Sequence, residues 1–429
     1  MEKGIDFMPE GVADIHCNAY VAKESVMGRI KSIFRSFGYR QISTPTFEYY
    51  DSFSMVEGGM NKDEMFKLID PSGKILVLRP DMTIPIARVA ARCQKNGGYQ
   101  KYSYVSNVFR MNDEQNGMRR EFTQGGIEYL GNEKADADGE VIVLAVKILE
   151  ECDIANFQID LGHAGFYQGL MDEFNLSKKE GEQIRLLIEN KNFAELAHQL
   201  KTFHICDALR EAVLQMPYLY GKPEKVMDAA KTYVQNARME KSLQNLERVY
   251  CILKDYGYEK YISIDLGMIG HMDYYTGVIF KGYIMNYGKA ILRGGRYDQL
   301  TKYYGCSMPA TGFGINIDAL MEVLEMYNMK KAPSCYTDYL VLYKDANRVK
   351  ALRLASELRE QGFIVECDVV ENDLKRHIGN ASYRDIKEII EVREDALKII
   401  NLRNNEIYGS TVPEFFKNLG MGEAYISIH

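Results

Sequence analysis

Asp81, Arg110, Gln124 and Glu128 are four side chains whose chemistry is complementary to a free amino acid. Asp81, Glu128 and Gln124 can pair with an ammonium group, and Arg110 can pair with a carboxylate. A closed site needs both pairings, because an unpaired buried charge is very costly. If one cavity holds all four side chains, the chemistry that they predict is the binding of an α-amino acid.

The segment GGRYD at 294–298 has two glycines that could bring the backbone close to such a ligand. Its Arg296 could equally brace the fold through an internal carboxylate. The eight cysteines are tens of residues apart, without metal-ligand spacing, and we interpret them as reduced and mostly structural. The cysteine spacing therefore predicts no metal site, and we also expect no cofactor and no catalytic residue.

The elements that must position these residues follow from the apolar periodicity. Tyr20, Met27, Ile30, Phe34 and Phe37 recur at helical spacing, so a long amphipathic helix is predicted over 18–37, with Gly38 as its C-terminal cap. The following segment GYRQISTPTFEYY favours a strand at an interface or a sheet edge. Further β-type runs occur at 75–79, 102–109, 125–130, 157–161, 261–266, 277–284 and 289–293. They predict an α+β fold with a broad, largely antiparallel sheet and flanking helices.

Two changes of pattern suggest the domain organisation. Polar helical segments from about 170 to 255 indicate a helical insertion within a core domain of residues 1–330. After Pro333 the chain alternates strand and helix, which predicts a small C-terminal α/β domain with a parallel sheet over 334–429. That domain has 13 Lys and Arg against 16 Asp and Glu, a net charge of −3, which is a poor match to an RNA backbone.

The composition is that of a folded globular protein, 46% hydrophobic and 26% charged. The first residues lack the order of a signal peptide, and no apolar run approaches the roughly 20 residues of a membrane span. We therefore expect a soluble, cytoplasmic protein with no membrane partner. The net charge of −7 gives no general attraction to nucleic acid.

Three separated regions resemble the signature motifs of class II aminoacyl-tRNA synthetases, in their histidyl branch. The first is FRSFGYRQISTPTFEYYDSF at 34–53 and the second is FRMNDEQNGMRREFTQGGIEYLG at 109–131. The third region joins LGMIGHMDYYTGVIF at 266–280, GGRYDQL at 294–300 and TGFGINIDALMEVL at 311–324. LRPDMTIPIAR at 78–88 and the C-terminal LASELREQGFIVECDV fit the same family. The resemblance spans essentially the whole chain and implies a class II synthetase-like core with a C-terminal domain similar to an anticodon-binding domain.

The resemblance implies a histidine pocket. Polar groups must meet both imidazole nitrogens of histidine, and the family implies Tyr274 and Tyr275 for this role. The predicted histidine-binding residues, all of which match family positions, are Asp81, Thr83, Arg110, Gln124, Glu128, Tyr274 and Tyr275.

The family's arginines for ATP chemistry are replaced at several positions. Gly270 and Ala319 stand where the resemblance implies arginines at the reacting centre and the phosphates, and Asn112 and Met118 alter the middle motif. The loss of one charged contact to a transition state costs about 2.7–4 kcal/mol, so these losses together would leave almost no activity. Arg120 matches a retained family arginine, for which a phosphate contact and an internal salt bridge are equally plausible.

A chain that retains the histidine pocket but lacks the arginines for ATP chemistry resembles the histidyl-tRNA synthetase-like regulatory subunits of ATP phosphoribosyltransferase. This resemblance implies a non-catalytic subunit that activates a short-form catalytic subunit and mediates feedback inhibition by histidine. It also implies a homodimer within a hetero-oligomer, formed through the 18–53 helix and strand. Two alternatives stay open: an active histidyl-tRNA synthetase, disfavoured by the four substitutions, and a synthetase-like tRNA-sensing module, disfavoured by the acidic C-terminal domain.

Overall fold

The computed structural model describes residues 8–56, 59–93, 98–111, 119–174, 178–203, 205–269, 275–328, 337–370 and 374–420. The chain forms two compact units, Met1–Lys330 and Lys331–His429. No helix within the described ranges is long and apolar enough to cross a membrane.

The N-terminal helix α1 (Cys17–Ser36) confirms the predicted amphipathic helix. Val26, Ile30 and Phe34 recur every four residues and are buried, because side chains at this spacing share one helix face. Gly38 has φ +81°, the left-handed conformation that glycine adopts readily after a helix end. Its position lets the chain turn at once into strand β1 (Arg40–Gln41).

The first unit is built on a nine-stranded sheet, ordered β1-β5-β6-β12-β11-β10-β7-β9-β8. Its other strands are β5 (Gln100–Phe109), β6 (Glu121–Leu130), β7 (Phe157–His163), β8 (Tyr220–Gly221), β9 (Ile262–Asp265), β10 (Val278–Ile284), β11 (Tyr287–Arg296) and β12 (Ala310–Asn316). Only the pairs β1–β5 and β7–β9 are parallel among these described strands, so the prediction of a largely antiparallel sheet is confirmed.

Helices cover one face of this sheet and form the main core with it. They include α1, α4 (Ala135–Glu151), α10 (Ala237–Asp255) and α11 (Ile317–Met326). Along β6, Ile127 enters this core while Gln124 and Glu128 line a cavity on the opposite face. This alternation follows from the two-residue period of a strand.

Shorter elements border the cavity face. A three-stranded antiparallel sheet has the order β2-β4-β3. Its strands are β2 (Phe47–Tyr49), β3 (Lys67–Ile69) and β4 (Ile75–Leu78), with helices α2 (Tyr50–Ser54) and α3 (Thr83–Cys93) beside them in sequence. Phe53, Val77 and Ile84 of these elements pack in one buried cluster with Leu130 of β6.

The segment between β7 and β9 is mainly helical. Its helices are α5 (Ala164–Asp172), α6 (Lys178–Glu189), α7 (Phe193–Leu200), α8 (Asp207–Gln215), α9 (Pro223–Lys231) and α10. His163 caps α5 by accepting a hydrogen bond from the amide of Gly165, and burial lowers the pKa of this imidazole to about 4. A neutral imidazole is what such an acceptor role requires.

The second unit has a five-stranded sheet ordered β14-β13-β15-β16-β17. Its elements are β13 (Thr337–Tyr343), α12 (Arg348–Glu360), β14 (Val365–Val369), α13 (Leu374–Tyr383), β15 (Ile386–Val392), β16 (Leu397–Asn401), β17 (Ile407–Ser410) and α14 (Val412–Asn418). The prediction of a parallel sheet is wrong for its last part. β13 pairs in parallel with β14 and β15, whereas β15–β16 and β16–β17 are antiparallel, because short turns rather than helices join these strands.

Candidate functional site

A cavity lies on the face of the nine-stranded sheet opposite the main core, and we call it the first cavity. Its volume is about 840 Å³, which includes the open solvent at its mouth. Six of the seven predicted ligand-binding residues line it: Asp81, Thr83, Arg110, Gln124, Glu128 and Tyr275. The seventh, Tyr274, lies outside the described residues, as do Gly270, Asn112 and Met118.

Glycines form the floor of the first cavity, and strand register explains why. Residues directly opposite one another in antiparallel strands share a face, so Gly312 lies beside Glu128 and Gly314 lies beside Gly126. A Cβ on Gly312 would overlap Glu128 Oε2, and a Cβ on Gly314 would lie 2.7 Å from Gln124 Nε2. Glycine is therefore required here for space, since larger residues would displace the polar side chains from the floor.

Glu128 is the most deeply placed acid of the cavity, with an exposed fraction of 1%. Its carboxyl accepts hydrogen bonds from the hydroxyls of Tyr297 and Thr83. Burial raises its pKa to about 8, the two hydroxyls oppose that rise, and the nearby Asp81 adds to it. A carboxyl with this pKa is largely protonated at neutral pH until a cation approaches it.

Asp81 is a second buried acid, 4% exposed, at the start of α3. Its Oδ1 accepts a hydrogen bond from the amide of Ile84 at 3.2 Å. Its Oδ2 is buried, and no described residue donates a hydrogen bond to it. Burial raises the pKa of Asp81, and the charge of Arg110 and the amides of Ile84 and Thr83 oppose the rise. Burial raises the pKa of both acids, and a cation bound between them would favour their ionised forms.

Arg110 and Gln124 are held in place by the elements beside them. Arg110 Nε donates to the carbonyl oxygen of Pro80 at 2.8 Å, and its guanidinium lies 5.5 Å from the Phe122 ring centroid. Gln124 Oε1 accepts a hydrogen bond of 3.2 Å from the Tyr104 hydroxyl. These contacts fix both side chains before any ligand binds, which lowers the entropy cost of binding.

Comparison with known proteins places this chain in a family. The histidyl-tRNA synthetase family model matches residues 11–320. An ATP phosphoribosyltransferase regulatory subunit from Acetivibrio thermocellus is 40% identical over 96% of this chain and 98% of its own length. One from Clostridium novyi is 36% identical over 98% of this chain and all of its own. This chain belongs to the histidyl-tRNA synthetase-like family of ATP phosphoribosyltransferase regulatory subunits.

Solved structures agree with this family assignment. A Bacillus halodurans structure described as an ATP phosphoribosyltransferase regulatory subunit/histidyl-tRNA synthetase matches with a TM-score of 0.80 and 29% identity. The match covers 91% of this chain and 99% of that one. Histidyl-tRNA synthetase from Nostoc sp. PCC 7120 also gives a TM-score of 0.80, at 21% identity, over 97% and 100% of the two chains. This chain therefore has the class II synthetase-like fold of the regulatory-subunit family.

A second cavity adjoins the first and shares Phe122, Ala290, Arg293 and Asn316 with it. The rest of its lining is Arg119, Tyr287, Lys289, Asp318, Ala319 and Glu322. This cavity contains Ala319, the position at which family resemblance implies an arginine, so no cationic side chain extends from the start of α11.

Asp318 in the second cavity is already neutralised within the protein. Lys23 Nζ donates to Asp318 Oδ1 at 2.7 Å, and the amide of Thr123 donates to Oδ2 at 2.6 Å. Arg119 Nη1 lies 3.7 Å from the same carboxyl. The acid therefore serves to attach α1 and β6 to α11, an internal bracing role.

Two arginines in the motifs have the bracing roles that the sequence left open. Arg296 donates to both oxygens of the buried Asp138 at 3.1 and 3.0 Å, which joins β11 to α4. Arg120 lies 3.8 Å from Glu10 Oε2, so the internal salt bridge is present for this residue. Across the described ranges, no group of three or more His, Cys, Asp or Glu side chains could hold a metal ion.

Tyr104, Tyr297 and Arg293 are among the lining residues that sequence reasoning missed. The sequence did contain a signal for two of them, because Arg293 and Gly295 alternate along β11 and Tyr297 follows its end at the same spacing. No such local signal marks Tyr104, whose link to Gln124 depends on the pairing of β5 with β6.

Proposed function

We propose that this chain is the non-catalytic regulatory subunit of an ATP phosphoribosyltransferase. It binds a short catalytic subunit, activates it, and transmits feedback inhibition by histidine. Relatives named ATP phosphoribosyltransferase regulatory subunit match this chain over nearly their whole length. The observation that carries the ligand assignment is the pair of buried acids, Asp81 and Glu128, which line one cavity.

The charges of the first cavity support an α-amino acid as its ligand. An ammonium group between Asp81 and Glu128 would supply a donor to Asp81 Oδ2, which no described residue reaches. A buried acceptor without a donor costs about 1–3 kcal/mol, so the ligand would remove a penalty present in the free protein. Gln124 offers an additional amide oxygen or nitrogen at the same floor.

Recognition of the imidazole is assigned to Tyr274 and Tyr275. Tyr275 lines the first cavity, and its ring lies against the backbone of β11, where a Cβ on Gly295 would be 2.8 Å from Tyr275 Cε1. A hydroxyl can donate to or accept from an imidazole nitrogen, so it can meet either tautomer of histidine.

The second cavity supports the absence of aminoacylation. Phosphoryl-type chemistry depends mainly on cations that stabilise the developing charge. Ala319 offers none at the position where the family resemblance implies an arginine, and Arg119 is engaged with Asp318, which leaves Lys289 and Arg293 as the other cations of this lining. Pyrophosphate exchange with histidine and ATP measures adenylate formation, and we expect no exchange above background. A rate like that of a working synthetase would contradict the non-catalytic assignment.

Self-association is part of the proposal, through the region at 18–53. On the three-stranded sheet, Phe47, Tyr49 and Ile69 are 57%, 50% and 79% exposed. Exposed aromatic and aliphatic side chains in one small sheet are typical of a protein interface. Sedimentation at micromolar concentration should show a dimer, and larger species when the catalytic subunit is added. A monomer under both conditions would contradict this part of the proposal.

Inhibition is proposed to act at a distance, because phosphoribosyl transfer takes place on the other subunit. Histidine must then bind one state of the complex better than the other, with a coupling free energy of typically about 1–3 kcal/mol. The test is co-purification of this chain with a short catalytic subunit, followed by transfer assays with and without histidine. We expect the rate to rise when this chain is added and to fall with histidine. Failure to form a complex, or a rate that histidine does not change, would overturn the proposal.

A further inference from the structure

Arg293 lies on the same face of the sheet as the buried acids, at the other side of the first cavity. Strand register places Arg293 opposite Gly314, which is opposite Gly126. Glu128 is in the next row of the sheet, two strands away. Strand spacing and rise put the Cα atoms of Glu128 and Arg293 roughly 12 Å apart. The intervening sheet positions on this face are Gly312 and Gly314, and the Tyr104 hydroxyl and the Gln124 amide lie over Gly314, so polar groups border the space between the acid and the guanidinium.

Arg110 and Arg293 are the two arginines that line this cavity along the described part of the chain, and their surroundings differ. Arg110 is held at the acidic end, where it binds the Pro80 carbonyl and its charge acts on Asp81. Arg293 is exposed and borders both cavities, and its side chain makes no hydrogen bond or ion pair with any residue that the structure describes. Its five N–H donors are thus available to a ligand.

The cavity consequently has a polarity: buried acids at one end and an uncommitted guanidinium at the other. A free α-amino acid has the matching polarity, since its ammonium and carboxylate are attached to one carbon. Guanidinium groups bind carboxylates with two parallel hydrogen bonds, which gives geometric selectivity as well as attraction.

We propose that Arg293 binds the α-carboxylate of the amino-acid effector and is a specificity-determining residue of the regulatory site. The assignment rests on the proposed function, because it names the contact by which this site distinguishes a free amino acid from an amine. Histamine, which has the imidazole and ammonium of histidine but no carboxylate, is the ligand that isolates this contact.

The test is calorimetric titration of the full-length chain with histidine and, separately, with histamine. Arg293→Gln should weaken histidine binding on the order of 10- to 100-fold, the loss typical of a charged hydrogen-bonded contact. Its affinity for histamine should change less than about twofold, and Arg293→Lys should restore part of the histidine affinity. Lys289→Gln is the matched control, because Lys289 lies on the same strand but borders the second cavity only. It should leave both affinities near wild type.

The outcomes separate this proposal from the proposed function. If wild-type protein binds histidine and Arg293→Gln binds it equally well, the Arg293 assignment is wrong and the regulatory function stands. If Arg293→Gln weakens histidine and histamine equally, the arginine acts through the fold, and the assignment is again wrong. If the wild-type protein binds no histidine, both proposals fail. Unchanged thermal unfolding of Arg293→Gln shows that the variant is folded, as expected for an exposed side chain.

Discussion

The two adjoining cavities of the first unit differ in how fully their buried acidic residues are paired with other groups of the protein. In the first cavity, Asp81 and Glu128 are buried with raised pKa values, and one carboxylate oxygen has no donor in the described structure. In the second cavity, Asp318 is equally buried, but Lys23, Thr123 and Arg119 satisfy it. The first arrangement is costly until a cation binds, and the second is complete without a ligand.

This difference teaches how a synthetase-like fold can be specialised for sensing. A site that must respond to a ligand keeps buried polar groups that lack a hydrogen-bond or ion-pair partner within the protein. A site that has lost its ligand can use the same residue types to brace helices and strands. The contrast predicts that substitutions in the first cavity change ligand affinity, whereas substitutions around Asp318 change stability.

The largest expected effect comes from adding a methyl group to the floor of the first cavity. Gly312→Ala places a Cβ against Glu128 Oε2 and the carbonyl oxygen of Ile127, and a backbone atom cannot move away cheaply. We expect a loss of about 3 kcal/mol or more in stability, the upper end for overpacking, together with loss of histidine binding. Thermal unfolding and calorimetry measure the two losses.

Gly288→Ala is the control for this substitution, since Gly288 also lies in the sheet but has no heavy atom within 4 Å of an added Cβ. It should change neither stability nor affinity appreciably. Equal behaviour of Gly312→Ala and Gly288→Ala would show that the glycine floor does not position Glu128.

Lys23→Met tests the second cavity. The substitution leaves Asp318 buried without its closest cation, a change that typically costs about 3–5 kcal/mol. We expect roughly 2–3 kcal/mol, because the Thr123 amide and Arg119 remain. Chemical denaturation should detect this loss, while histidine affinity stays within about twofold of wild type. A large loss of affinity without loss of stability would break the contrast between the cavities.

Glu128→Gln should change the pH dependence of stability. Folding raises the pKa of Glu128 from 4.5 to about 8, so between these values the folded protein keeps a proton that the unfolded chain has lost. The contribution of this group to the free energy of unfolding is fully present below pH 4.5. It is lost as the pH rises from 4.5 through 8, by about 1.4 kcal/mol for each pH unit. The variant lacks this loss, so its stability relative to wild type should rise over that window.

The measurement is denaturant unfolding of both proteins from pH 4 to pH 9. Below pH 4.5 the difference between them should be constant, which serves as the internal control. A difference that stays constant up to pH 9 would mean that Glu128 is ionised in the folded protein at neutral pH.

Local sequence signals predicted much of the fold but only part of the site. The helix over 18–37 and its Gly38 cap followed from spacing along one segment, and the structure confirms both. The positions of Asp81 and Glu128 followed from family motifs, and the two residues line one cavity. The partnership of Tyr297 with Glu128 could not be predicted, because it depends on β12 lying between β6 and β11.

Neutralisation of Asp318 was also beyond sequence reasoning. Lys23 is 295 residues away in the chain, and only the packing of α1 against α11 brings the two together. In the second unit, the predicted parallel sheet failed at β16 and β17 for a related reason. Strand periodicity gives the existence of a strand, whereas its direction depends on the connection that precedes it.

The central claim is that histidine in the first cavity controls phosphoribosyl transfer on the partner subunit. It is tested most directly by the histidine concentration that half-inhibits the assembled complex, for wild type, Glu128→Gln and Tyr275→Phe. Each substitution removes one polar partner of the ligand, a cost of about 1–3 kcal/mol, so this concentration should rise roughly 5- to 150-fold. The uninhibited rate of the same preparations shows whether each complex still forms. If both variants assemble and the half-inhibiting concentration stays at the wild-type value, histidine acts elsewhere and the account is wrong.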